Sequence, residues 1–129
     1  MNNIDLMNYW IKSSDKDYET MKVLYEAKKN TWALFIGHLV IEKFLKGLYA
    51  RKNVENPIAP KIHNLILLTQ KANLEVPQDI REKIQVINTF NISARYDDYK
   101  ESFEQKCTEE YTKVQIDNIE EVRKWLKEQ

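Results

Sequence analysis

One cysteine, two glycines, three prolines and two histidines are all that 129 residues hold of these types, and each scarcity excludes something. The lone Cys107 forbids an intramolecular disulfide and removes zinc sites built on cysteine clusters. With so few histidines to activate it, Cys107 reads as a packing residue rather than a nucleophile. Glycine and proline are too rare for the many tight turns of an all-β domain. Neither sign of charge is in excess, with 20 Lys and Arg against 20 Asp and Glu, which argues against a generally basic nucleic-acid binder. The opening MNNIDLMNYW lacks the basic n-region and apolar h-region of a signal peptide, so the cytoplasm is the expected location.

The balanced total conceals an uneven distribution. Lys43 to Lys71 holds six basic residues against the single acidic Glu55, whereas Asp97 to Gln129 holds ten acidic against six basic. This pattern permits a local anion site in the first half and a solvated, acidic helix at the end.

The length fits one domain, residues 1–129, large enough to build a core without staples. The reading is all-α, an antiparallel, up-and-down bundle of four to five helices. A first helix is expected from Ile4 to Lys29, where Met7, Trp10, Ser14, Tyr18, Met21 and Tyr25 recur at steps of three and four. A second, with Asn30 or Thr31 as cap, extends towards the Pro57 and Pro60 region. A third is expected from Ile62 to Ala72 with His63 in its first turn. The fourth has Pro77 as its first residue and Ile80, Ile84 and Ile87 on one face. Thr108 can cap the last, with Glu109 and Glu110 complementing its positive end.

The second helix carries the most information. Trp32 to Ala50 is apolar almost all round, yet His38, Glu42, Lys43 and Lys46 fall within an arc of about 140°. Charges at its centre exclude a membrane span. A surface helix would have the opposite ratio of polar to apolar surface, so this one polar stripe is expected to face water, a partner or a ligand. Two plainer roles compete. The lysines can reach solvent through their methylene stems, and His38 can bond a neighbouring carboxylate such as Glu42. Gly37 and Gly47 each cost about 1 kcal/mol against alanine inside a helix. Both project away from the stripe, which predicts close approach of another helix there.

The least periodic run is Asn88 to Lys100, NTFNISARYDDYK. Arg95 can grip a phosphate or carboxylate with two parallel hydrogen bonds, and Tyr96 and Tyr99 can stack on bases. Asp97 and Asp98 can offer oxygen ligands to a divalent metal, or can pair with Arg95.

Together these features resemble the HEPN (higher eukaryotes and prokaryotes nucleotide-binding) domains of prokaryotes. The resemblance rests on Tyr9-Trp10 with Asp17, GHLVIEKFLKGLY from Gly37 to Tyr49, His63-Asn64-Leu65, and INTFNISARYDDYK from Ile87 to Lys100. HEPN ribonucleases usually carry an arginine followed four to six residues later by a histidine; no histidine follows Arg95 here. In those ribonucleases the arginine binds the scissile phosphate and the histidine moves protons at the ribose 2′-hydroxyl without a metal. A group titrating near neutral pH suits that task.

The resemblance therefore implies an accessory protein that binds a nucleotide, RNA or a minimal nucleotidyltransferase partner, possessing no chemistry of its own and belonging to a toxin-antitoxin-like pair. No cofactor or metal is expected. Lys43, Lys46, Arg95, Tyr96 and Tyr99 are the expected binding residues, with Asp17, Glu42, Asp97 and Asp98 as supporting carboxylates. In some toxin members the partner adenylylates a tyrosine near the Arg-His motif, a position near which Tyr96 and Tyr99 lie. The competing readings are a metal-independent endoribonuclease using Arg95 with His38 or His63, and a purely structural helical dimerisation module. A homodimer is expected, since paired HEPN domains bring two copies of the motif to one cleft.

Overall fold

The computed structural model describes residues 1–129 and contains seven helices and no strand. These are α1 (Asn3–Glu26), α2 (Asn30–Lys52), α3 (Leu65–Lys71), α4 (Gln78–Asn88), α5 (Phe90–Arg95), α6 (Asp97–Lys106) and α7 (Glu109–Lys127). The all-α bundle agrees with the sequence reading. Two short helices, α5 and α6, occupy the run read as least periodic. Their signature is local: Phe90 with Ala94 and Phe103 with Cys107, each four residues apart, bury one side of a short helix. A single extended residue, Tyr96, separates them.

The centre of the bundle is α2, with 13 of its 23 residues buried. Against it α1 runs antiparallel, as Asn3 bonds the Arg51 carbonyl, Ser14 donates to the Val40 carbonyl (2.7 Å), and Met21 packs beside Gly37. The turn between them is a Schellman motif: Lys28 adopts φ 60°, while the Lys28 and Lys29 amides donate to the Tyr25 and Leu24 carbonyls. A cap by Asn30 or Thr31 therefore does not form. Lys29 takes the cap position, and the Asn30 side-chain amide instead donates to the Cys107 carbonyl at 3.2 Å.

Helix α7 closes the other side, antiparallel to α1. The Tyr18 hydroxyl donates to the Glu120 carboxylate at 2.7 Å, the Arg123 guanidinium lies 3.7 Å from the Tyr18 ring centroid, and Arg123 pairs with Asp15 at 3.1 Å. Burial and the Glu120 bond push the Tyr18 hydroxyl up to about 12. The expected cap of α7 is present, with the Thr108 hydroxyl accepting from the Tyr111 amide at 3.1 Å.

The glycines do what their positions predict. A methyl group on Gly37 would run into the Ile119 side chain of α7, and one on Gly47 would lie 3.0 Å from Ile11 of α1. Neighbouring helices thus approach α2 where no side chain intervenes.

Two boundaries differ from expectation. Helix α3 starts at Leu65 rather than Ile62, because Asn64 caps it by accepting from the Leu67 amide. His63 consequently precedes the helix. Pro77 is the cap of α4 rather than its first residue, and its carbonyl accepts from the Arg81 amide. At one end of the bundle Arg51 joins the chain termini, since its carbonyl accepts from the Asn3 side chain and its guanidinium donates to the Gln129 carbonyl at 2.8 Å. No helix is long and apolar enough to cross a membrane.

Candidate functional site

The polar stripe of α2 does not face water. His38, Glu42 and Lys46 are all buried, and Lys43 is half-buried. Burying charge is costly unless every group finds a partner, and here the partners come from distant segments. Lys43 reaches α1, pairing with Asp17 at 2.7 Å and donating to the Ser13 hydroxyl at 2.9 Å. Lys46 donates to Glu42 Oε2 at 3.2 Å and lies 5.3 Å from the centroid of the Trp10 ring. The expected phosphate-binding lysines are therefore both engaged in pairs inside the chain. Asp17 and Glu42 are their partners.

The second oxygen of Glu42 turns the other way. Its Oε1 accepts from His63 Nδ1 at 2.9 Å. The carbonyl of the same His63 accepts from His38 Nε2 at 3.1 Å. Positions 38 and 42, one turn apart on α2, thus hold one residue by its backbone and by its ring. The two histidines differ sharply in access: His38 is completely buried, whereas the His63 side chain is 53% exposed. Burial lowers His38 to about 4, leaving it neutral at ordinary pH. Of the two imidazoles, His63 alone reaches solvent.

His63 lines an open recess of about 240 Å³ with Asn64, Asn88, Asn91 and Ile92. Its walls are fixed from several directions. The Asn88 Oδ1 atom accepts from the Leu65 amide at 2.8 Å, joining α4 to the start of α3, and Asn64 caps α3. Asn91 stands one turn before Arg95 on α5 and accepts from its guanidinium at 3.4 Å. Through Asn91, the recess lined by His63 adjoins Arg95.

The other expected residues lie beyond Arg95. Tyr96 and Tyr99 are each 56% exposed. Asp97 and Asp98 occupy the first turn of α6, where their charge complements the positive end of the helix dipole. Neither reaches Arg95 within ion-pair distance, and no three His, Cys, Asp or Glu side chains converge in a metal-binding cluster. Cys107 belongs to the core, where burial pushes its thiol up and keeps it protonated.

Two recess residues, Asn88 and Asn91, carry no site role in the sequence reading, and Asn64 enters it only within the His63-Asn64-Leu65 motif. A signal existed for Asn91, at the helical spacing of four from Arg95. For Asn88 there was none, since its partner is an amide 23 residues away.

A family model for the HEPN domain matches residues 7–129. The chain belongs to the HEPN domain family. Its fold is similar to that in the crystal structure of TT1696 from Thermus thermophilus, with a TM-score of 0.78, 19% sequence identity, and coverage of 99% of this chain and 98% of that one. No curated protein matches the chain in sequence. Within this HEPN chain the segments that carried the resemblance converge in part. GHLVIEKFLKGLY supplies His38, Glu42 and Lys46, His63-Asn64-Leu65 supplies the imidazole, and the Ile87–Lys100 run supplies Asn88, Asn91 and Arg95.

Proposed function

We propose that this HEPN chain is an accessory protein that recognises the phosphates of an RNA strand or nucleotide on the face where His63, Asn91 and Arg95 meet. One observation carries the reading: Asn91 both lines the recess with His63 and accepts from Arg95, which ties a guanidinium to a wall of the opening that the imidazole lines. Arginine offers paired donors to phosphate oxygens, and His63 Nε2 makes no hydrogen bond within the chain. Tyr96 and Tyr99, exposed beside Arg95, supply ring faces on which bases stack. Lys43 and Lys46 contribute indirectly, by holding α1 and Glu42. The protein works as a homodimer beside a minimal nucleotidyltransferase, in a toxin-antitoxin-like pair in the cytoplasm.

Fluorescence anisotropy with labelled oligonucleotides tests the recognition. Arg95 is exposed, so Arg95→Ala should fold normally and bind oligouridylate about tenfold more weakly. Binding unchanged in Arg95→Ala would refute the site, and no affinity for RNA or nucleotides would refute the reading.

A second reading, a metal-independent endoribonuclease, is favoured by the Glu42–His63 hydrogen bond. Under it, His63 Nε2 accepts the 2′-hydroxyl proton as the 2′-oxygen attacks phosphorus, the bond to the 5′-oxygen breaks, and Arg95 stabilises the negative charge. The leaving 5′-oxygen takes a proton from water, His63 returns its proton to solvent, and a 2′,3′-cyclic phosphate remains. RNA cleavage in EDTA that disappears in both Arg95→Ala and His63→Ala would select this reading; intact RNA across varied sequences would select binding alone.

A further inference from the structure

The atom of His63 that meets a ligand is decided inside the bundle. A carboxylate accepts hydrogen bonds and donates none, so the 2.9 Å contact from His63 Nδ1 to Glu42 Oε1 places a hydrogen on Nδ1. In neutral His63 the lone pair then belongs to Nε2. Glu42 itself is held in place: Lys46 Nζ occupies its other oxygen, and both side chains are more than nine-tenths buried. His38 fixes the third coordinate. Neutral and fully buried, it donates Nε2–H to the His63 carbonyl and stops the residue from swinging away from Glu42.

His38 carries a second observation. With its hydrogen on Nε2, its Nδ1 has no hydrogen-bond partner and lies 3.7 Å from the Glu42 oxygen that His63 uses. Two acceptors side by side favour a Glu42 carboxylate directed at His63 rather than at His38. The spacing of four between residues 38, 42 and 46 thus forms one rail along α2, and every member of it acts on His63.

We infer that His38, Glu42 and Lys46 are positioning residues that hold His63 as its Nδ1–H tautomer, so that Nε2 is the proton-exchanging atom of the recess. Resting on the phosphate-recognition reading above, the ligand at that atom is a phosphodiester oxygen beside Arg95. A phosphodiester oxygen accepts from Nε2 when that nitrogen carries a hydrogen, and Nδ1 then still donates to Glu42. The charged groups near His63 are Glu42 and Lys46 from α2 and Arg95 from α5, while Asn64, Asn88 and Asn91 complete the recess without charge.

The test begins with the free protein. In long-range 1H–15N spectra of ¹⁵N-histidine-labelled protein at pH 8.5, the two imidazoles are assigned with a His63→Gln variant. The expected result is the Nδ1–H pattern for His63 and the Nε2–H pattern for His38. An Nε2–H or mixed pattern for His63 overturns the inference, whatever the protein binds. Glu42→Gln should abolish the preference and weaken oligouridylate binding about tenfold. A folded Glu42→Gln protein that keeps the wild-type tautomer and affinity also overturns the inference. Should that variant fail to fold, the wild-type spectrum still decides. An Nδ1–H pattern in a protein that binds no oligouridylate upholds the rail and sinks the phosphodiester reading.

Discussion

Replacing Gly37 by alanine opposes two effects whose sizes can be estimated separately. Glycine inside a helix costs about 1 kcal/mol relative to alanine, so on α2 alone the substitution stabilises. The added methyl, however, collides with the Ile119 terminal carbon and lies 3.2 Å from the Met21 sulfur. Ile119 and Met21 are both fully buried, so neither side chain has open space to move into. Overpacking of this kind costs about 1–3 kcal/mol. The net expectation is a loss of about 1 kcal/mol, a fall in Tm of about 4 °C for a chain of this size. Ile119→Val removes the colliding carbon and by itself costs about 1 kcal/mol. Placed in the Ile119→Val background, Gly37→Ala should therefore stabilise by up to about 1 kcal/mol, the helix term now opposed only by the approach to the Met21 sulfur. Urea denaturation of the four proteins followed by circular dichroism supplies the cycle. If Gly37→Ala were stabilising in both backgrounds, or its effect were the same in both, the close approach of α7 to α2 would not be the reason for a glycine at this position.

His38 makes stability depend on pH. Its folded value of about 4 lies below an unfolded value near 6.5, so between these limits the unfolded chain binds the extra proton. Stability should fall by about 3 kcal/mol as pH drops from 6.5 to 4 and level off below; denaturant midpoints across this range should show a shallower slope in a folded His38→Asn variant. Thr108→Ala removes the cap of α7 and should cost about 1 kcal/mol, read as a lower Tm. Lys28 sits at φ 60° and its pair with Glu109 is exposed, so Lys28→Gly should raise stability by about 1 kcal/mol; a lower denaturant midpoint would contradict the account of the turn.

Local features were legible in part: the Thr108 cap needs only the Tyr111 amide three residues on, and the glycines announce a close approach by lacking a side chain, whereas the starts of α2, α3 and α4 fall elsewhere than expected. The meaning of the α2 stripe was not legible, because an amphipathic pattern records which side chains are polar and not what covers them. Trp10, Ser13 and Asp17 cover it from α1, and His63 covers it from an extended segment before α3. Likewise, Arg95 and His63 lie 32 positions apart in the chain, and the recess that His63 lines meets Arg95 through Asn91, just past the turn between α4 and α5 at Thr89.

The Arg51 contacts tie the start of α1 to the segment after α7. Asn3 and Gln129 both bond to this one residue, while His63 and Arg95 are contributed from the segments between α2 and α6. A short peptide joining residue 129 to residue 3, with the chain opened between Asn53 and Ile58 in a helix-free segment, would permute the helices. Such a circularly permuted chain keeps every contact of the α2 rail while the order of the helices changes, with α1 following α7. The recess belongs to the arrangement of the helices in space, and the order in which they are synthesised is free to vary.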